Sequence, residues 1–99
     1  MTITKKQNGD TVTLFVEGRV DTTTSPMLQK EILAAFQVAK NLTLDMENMT
    51  YISSAGLRAL LIGQKTAMSK RGVMELIHVK PLVQEVLDTV GFSNILTIR

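Results

Sequence analysis

Residues 44 to 61 read LDMENMTYISSAGLRALL, and this run changes its periodicity once. Leu44 and Met46 alternate with polar neighbours, as on one face of a strand. Leu57, Leu60 and Leu61 then recur at helical spacing. Between them lie a polar loop and the sequence Ser53-Ser54-Ala55-Gly56. A helix start needs one Ser as its cap. It does not need a second, and Gly in the first turn costs about 1 kcal/mol relative to Ala. Helix N-termini carry unpaired N–H groups and roughly half a positive charge. A hydroxyl there is exposed, and a phosphate added to it would be well received. On that reading Ala55 and Gly56 form a low, flat patch that a partner's backbone can approach. A purely structural reading also accounts for the motif: Ser53 caps, and Gly56 lets the helix pack closely on its own sheet.

Working outward, the same two periods alternate along the chain. Val12, Leu14 and Val16 share one face of a strand over 11–17, with Gly18 expected to end it. Gly9-Asp10 reads as a hairpin turn back to a short first strand around Ile3. Ser25-Pro26 reads as a cap followed by proline at the first helical position, opening a helix marked by Leu28, Ile32, Ala35, Phe36 and Ala39. A strand covers 41–46. The helix after Ser53 carries Leu57, Leu60, Leu61, Ala67 and Met68 inward, with Gly72 as its terminator. A strand follows over 73–79. Pro81 opens a last helix with Val83, Val86, Leu87 and Val90 inward, Gly91 closes it, and 94–98 form a final strand. Strands separated by helices need crossovers and so run parallel. The expected fold is α/β: one domain over 1–99, with a mixed, mostly parallel sheet, an antiparallel N-terminal hairpin and helices packed against it.

Composition narrows the function. The 99 residues suit a single core, and 44% are apolar, too many for a disordered chain. No apolar run approaches the ~18 residues of a membrane span, and MTITKKQNGD lacks the apolar block of a signal peptide. With no Cys there is no disulfide and no thiol nucleophile, which fits a cytoplasmic protein without direct membrane insertion. The net charge is only +2, its densest cluster is Lys65, Lys70 and Arg71, and one Tyr, three Phe and no Trp give no aromatic stripe for bases. Nucleic acid is therefore not the expected partner.

Signals for catalysis are weak. SSAGL is not the strained G-x-S-x-G turn of hydrolases, and no GxxxxGK[ST] loop offers a phosphate cradle, so no nucleotide cofactor is expected. The only His, His78, falls in the 73–79 strand, where packing suits it better than acting as a base. Asp45 and Glu47 are two carboxylates with no third metal ligand, and they read as a solvated loop. No metal or catalytic residue is assigned. A hydrolase built on Ser54 would label with a fluorophosphonate, and none is expected.

Three segments together resemble the STAS family, the domain of bacterial anti-sigma factor antagonists. VEGRVD at 16–21 resembles its apolar-x-Gly-x-apolar-Asp element, with Gly18 and Asp21 in place. Residues 44–61 resemble its central strand, loop and Ser-(Ser/Ala)-Gly-Leu helix start. KPLVQEVLDTVGFSNIL at 80–96 resembles its closing helix and Gly-Phe turn. The resemblance spans essentially the whole chain in the family's order. The family's regulated serine lies two positions before the Gly, which maps to Ser54. The preceding position, Asp in many members, is Ser53 here, so Ser53 is the alternative hydroxyl. The resemblance implies a partner-binding surface of Asp21, Thr22, Ser53, Ser54, Ala55, Gly56 and Arg58; for Asp21 a loop or capping role is the alternative. It implies a non-enzymatic switch. The unphosphorylated domain binds an anti-sigma factor that is also an ATP-dependent serine kinase and frees the sigma factor, so transcription proceeds. Phosphorylation breaks the complex and a PP2C-type phosphatase resets it. A non-switching adaptor role in a lipid-transport or stress-signalling complex keeps the fold and drops the phosphate.

Overall fold

Gly9 sets the first turn. In the computed structural model, which describes residues 1–99, strand β1 (Thr2–Asn8) and strand β2 (Thr11–Val20) pair antiparallel with Asn8 opposite Thr11, leaving Gly9-Asp10 as a two-residue loop. Gly9 has φ +63°, the positive value that such a loop requires at its first position. Helix α1 (Ser25–Val38), strands β3 (Asn41–Asp45) and β4 (Met49–Ile52), helix α2 (Ser54–Ser69), strand β5 (Val73–Ile77), helix α3 (Pro81–Thr89) and strand β6 (Thr97–Ile98) follow. A single 3-10 turn, Phe92–Asn94, precedes β6.

The sheet order is β1-β2-β3-β5-β6, with β4 alongside the far end of β2. Every pairing except β1–β2 is parallel, as the helical crossovers require. Gly18 does not end β2. It adopts φ +94° at a register shift between Gly18 and Arg19. That irregularity lets one strand pair with β3 over Thr11–Phe15 and with β4 over Gly18–Val20.

One face of the sheet carries the core. Val12, Leu14 and Val16 of β2, Leu42 and Leu44 of β3, and Met74 and Leu76 of β5 are all buried. They meet Leu28, Ile32 and Phe36 of α1, spaced four apart, and Leu57, Leu60 and Ala67 of α2. Each fully buried side chain of this kind contributes about 1.5–3 kcal/mol through apolar burial. The opposite face is partly open: Thr13, Thr43 and Glu75 are half-buried and Phe15 is exposed.

Several local expectations need correction. Strand β4 was expected to be loop; Met49 and Ile52 are buried while Thr50 and Tyr51 between them are exposed, a pattern without period two. Ser25 is not the cap of α1 but its first residue, buried, with its N–H donated to the Asp21 carbonyl at 2.8 Å. Gly72 is not the left-handed terminator of α2. Arg71 holds that position at φ +57°, and Gly72 donates its N–H back to the Ala67 carbonyl, completing a Schellman end. Met68 and Val90, assigned inward, are exposed. The last strand contracts to two residues. His78 lies beyond β5, exposed and at φ +55°, rather than in a strand.

Candidate functional site

All the parallel strands point their C-terminal ends to one edge of the sheet, and the serine motif leaves from it. β2 and β4 finish side by side with Val20 opposite Ile52, and the Ser53 N–H donates to the Val20 carbonyl at 2.8 Å. The chain segments beginning at Asp21 and Ser53 therefore depart together. Ser53 is extended (φ −93°, ψ 175°), half-buried, and accepts the Gly56 N–H on its hydroxyl at 3.3 Å. Its carbonyl accepts the Leu57 N–H at 2.9 Å. Ser53 is thus the N-cap. Ser54 is the first helical residue and is exposed. The N–H groups of Ser54 and Ala55 have no backbone acceptor, so the positive end of α2 is open beside the Ser54 hydroxyl. That hydroxyl has no hydrogen-bonded base to activate it as a nucleophile.

Gly56 does not join Ala55 in a flat outer patch. It is buried, and a Cβ there would stand 2.7 Å from Ile52 Cγ1 and 2.8 Å from Val20 Cγ1. Its smallness serves contact between α2 and the strand ends. Ala55, half-buried, remains at the surface.

Asp21 organises the connection into α1. Its Oδ1 accepts the N–H groups of Thr23 and Thr24, both at 3.0 Å, and its own N–H donates to the Thr24 hydroxyl at 2.9 Å. The Thr24 backbone N–H holds the Asp21 carboxyl below the ordinary carboxylate range, with the Thr24 hydroxyl second. These hydrogen bonds lie within the loop before α1, whose N-cap is Thr24. Thr22, next to it, is exposed.

Packing α1 against α2 opens a groove of about 690 Å³ along this edge, lined among others by Thr22, Ser25, Lys30, Gln37, Ala55 and Arg58. Arg58 sits one helical turn after Ser54. Neither it nor Lys30 makes an ion pair, so the groove is cationic. Of the seven expected partner-binding residues, Thr22, Ala55 and Arg58 line the groove, Ser54 stands at the α2 start beside Ala55, Asp21 holds the loop before α1, Ser53 caps α2, and Gly56 faces inward. Ser25, Lys30 and Gln37 went unnoticed because helix-to-helix docking, which no linear spacing reports, brings them there. Beside the same strand ends, the Arg19 guanidinium stacks 4.2 Å from the centre of the Tyr51 ring.

Residues 2–99 match the family model described as "STAS domain". A Bordetella bronchiseptica protein, BtrV, provisionally described as an anti-sigma factor antagonist, is 33% identical over 81 residues, covering 81% of this chain and 70% of BtrV. A Thermotoga maritima crystal structure, also provisionally described as an anti-sigma factor antagonist, superposes with a TM-score of 0.89 at 18% identity, over 97% of this chain and 84% of that one. The Bacillus cell fate determinant SpoIIAA in its phosphorylated form superposes with a TM-score of 0.78 at 17% identity, over 99% and 91%. At these identities the two structures speak for the fold.

Proposed function

Because the chain belongs to the STAS domain family, we propose that it acts as an anti-sigma factor antagonist switched by phosphorylation of Ser54. Unphosphorylated, it binds an anti-sigma factor serine kinase across the start of α2 and the neighbouring groove, freeing the sigma factor. The kinase transfers the γ-phosphoryl of ATP to the Ser54 hydroxyl, and the complex dissociates. A PP2C-type phosphatase hydrolyses the phosphoserine. The site works as a docking surface, without catalysis of its own.

The observation that carries this reading is the division of labour between the two serines. Ser53 is committed to capping, whereas Ser54 is exposed with no hydrogen bond at the open end of the helix. Modification of Ser54 leaves the cap in place and adds about 1.5–2 negative charges. Free N–H groups and the helix dipole accommodate that charge, so the fold persists while the docking surface changes. An interface that buries the phosphate without a partner loses about 3–5 kcal/mol. Reversing a 1:99 equilibrium takes ~5.5 kcal/mol, so one phosphate with like-charge repulsion is the right size. Support from outside the chain comes from its relative BtrV and from SpoIIAA, a fold neighbour that exists in a phosphorylated form.

Incubation with the cognate anti-sigma kinase and ATP, read by peptide mass spectrometry, tests the assignment. One phosphate on Ser54 and none on the Ser54→Ala variant is the expected result. Modification of Ser53 would move the switch to the alternative hydroxyl, and no modification while the chain co-purifies with a transporter would replace the switch by the adaptor role.

A further inference from the structure

Asp45 and Glu47 alone form an unremarkable surface pair, but the fold supplies a third donor. β3 and β5 are parallel neighbours with Asp45 opposite Ile77, so the first residue past β5 arrives beside Asp45. That residue is His78, the only histidine of the chain. Its Nδ1 lies 3.1 Å from Asp45 Oδ1. One donor atom from each of Asp45, Glu47 and His78 falls within 4.8 Å of the other two.

We propose that Asp45, Glu47 and His78 form a binding site for a divalent transition-metal ion of the zinc class. Zinc bonds to imidazole nitrogen and carboxylate oxygen run about 2.0–2.2 Å, so the donor atoms around one tetrahedral ion stand about 3.3–3.6 Å apart. The 3.1 Å Asp45–His78 contact is already near that spacing, and the 4.8 Å bound leaves the set at most about 1.5 Å to close. Asp45 is the fixed member: its side chain is 11% exposed and its Oδ1 accepts the Glu47 N–H at 3.1 Å. The His78 side chain is 56% exposed and Glu47 is at the surface, so both can turn onto an ion. Solvent fills the remaining coordination positions. One imidazole with two carboxylates suits zinc and its transition-metal neighbours; magnesium prefers an all-oxygen octahedral shell. Such an ion would tie the turn after β3 to the end of β5. An Asp45–His78 hydrogen bond alone accounts for the 3.1 Å contact and predicts no response to zinc.

The test titrates the untagged chain with zinc chloride, following heat of binding, thermal midpoint and amide resonances. We expect one zinc per chain, a raised midpoint because the ion binds the folded state, and shifts confined to residues 45–49 and 77–79. Magnesium at equal concentration should produce none of these. His78→Asn keeps a residue tolerant of φ +55° while removing the imidazole, and should weaken zinc binding by at least about tenfold. Glu47→Gln should weaken it as well. Wild-type affinity in either variant, perturbations centred elsewhere, or no heat or shift at millimolar zinc would overturn the proposal.

Discussion

At the scale of single residues, the two adjacent serines differ in what their hydroxyls hold. The Ser53 hydroxyl holds the Gly56 N–H at 3.3 Å, and Ser54 holds nothing. Ser53→Ala should cost about 1 kcal/mol, the usual loss for an N-cap, and Ser54→Ala should stay within about 0.5 kcal/mol of wild type. Urea unfolding measures both; equal losses would mean that the cap is shared. Acid sensitivity is also a residue-level property. Thr24 holds the Asp21 carboxyl below its ordinary range, and the Ser93 hydroxyl, then the Gln84 amide, do the same for Asp88. A carboxyl with a lower pKa in the folded state binds fewer protons there than in the unfolded chain. Its stabilising contribution is therefore complete above the unfolded value, about 4, and is lost as pH falls through the folded value. The urea midpoint should decline below about pH 4, and Asp21→Asn should flatten part of that decline. An unchanged slope would show that Asp21 is not among the groups responsible. The serine motif was legible from residue types alone. Ser53 as the cap and Gly56 as a close-packing residue were among its readings, but the contact of Gly56 with Val20 and Ile52 depends on where β2 and β4 end.

At the scale of elements, Gly72 does work that spacing misassigned. A Cβ on Gly72 would stand 1.8 Å from the Lys40 carbonyl oxygen, so Gly72 serves close passage of two backbone segments, while Arg71 carries the left-handed turn at φ +57°. Arg71→Gly should stabilise the protein by about 1 kcal/mol, since the left-handed region disfavours side chains by roughly that much. Gly72→Ala should destabilise it, because one backbone must move. Thermal or urea unfolding checks both, and the opposite order would return the terminator role to Gly72. The helices were readable because Leu28, Ile32 and Phe36, or Leu57, Leu60 and Ala67, repeat on one face. β4 was not, because four residues with only Met49 and Ile52 inward carry no alternation. His78 was misplaced because an apolar run through Leu76 and Ile77 looks like strand until the backbone turns at φ +55°.

At the scale of the whole molecule, one sheet edge gathers the start of α2, the Asp21 loop and a groove between α1 and α2 that holds two unpaired cations. The parallel topology, legible from alternating periods, sends every crossover to that edge. The depth and charge of the groove were not legible, since Lys30 and Arg58 are 28 positions apart and come to line one groove only through helix packing. The central claim is that a negative charge at residue 54 alters docking and leaves the scaffold alone. Calorimetric titration of the anti-sigma kinase with wild type and with Ser54→Asp, alongside unfolding curves of both, tests it most directly. The account predicts matching stability and an affinity at least about a hundredfold weaker for Ser54→Asp, in line with about 3 kcal/mol for an uncompensated interfacial charge. Equal affinity for the two proteins, or a weakened complex only because Ser54→Asp unfolds, would contradict it.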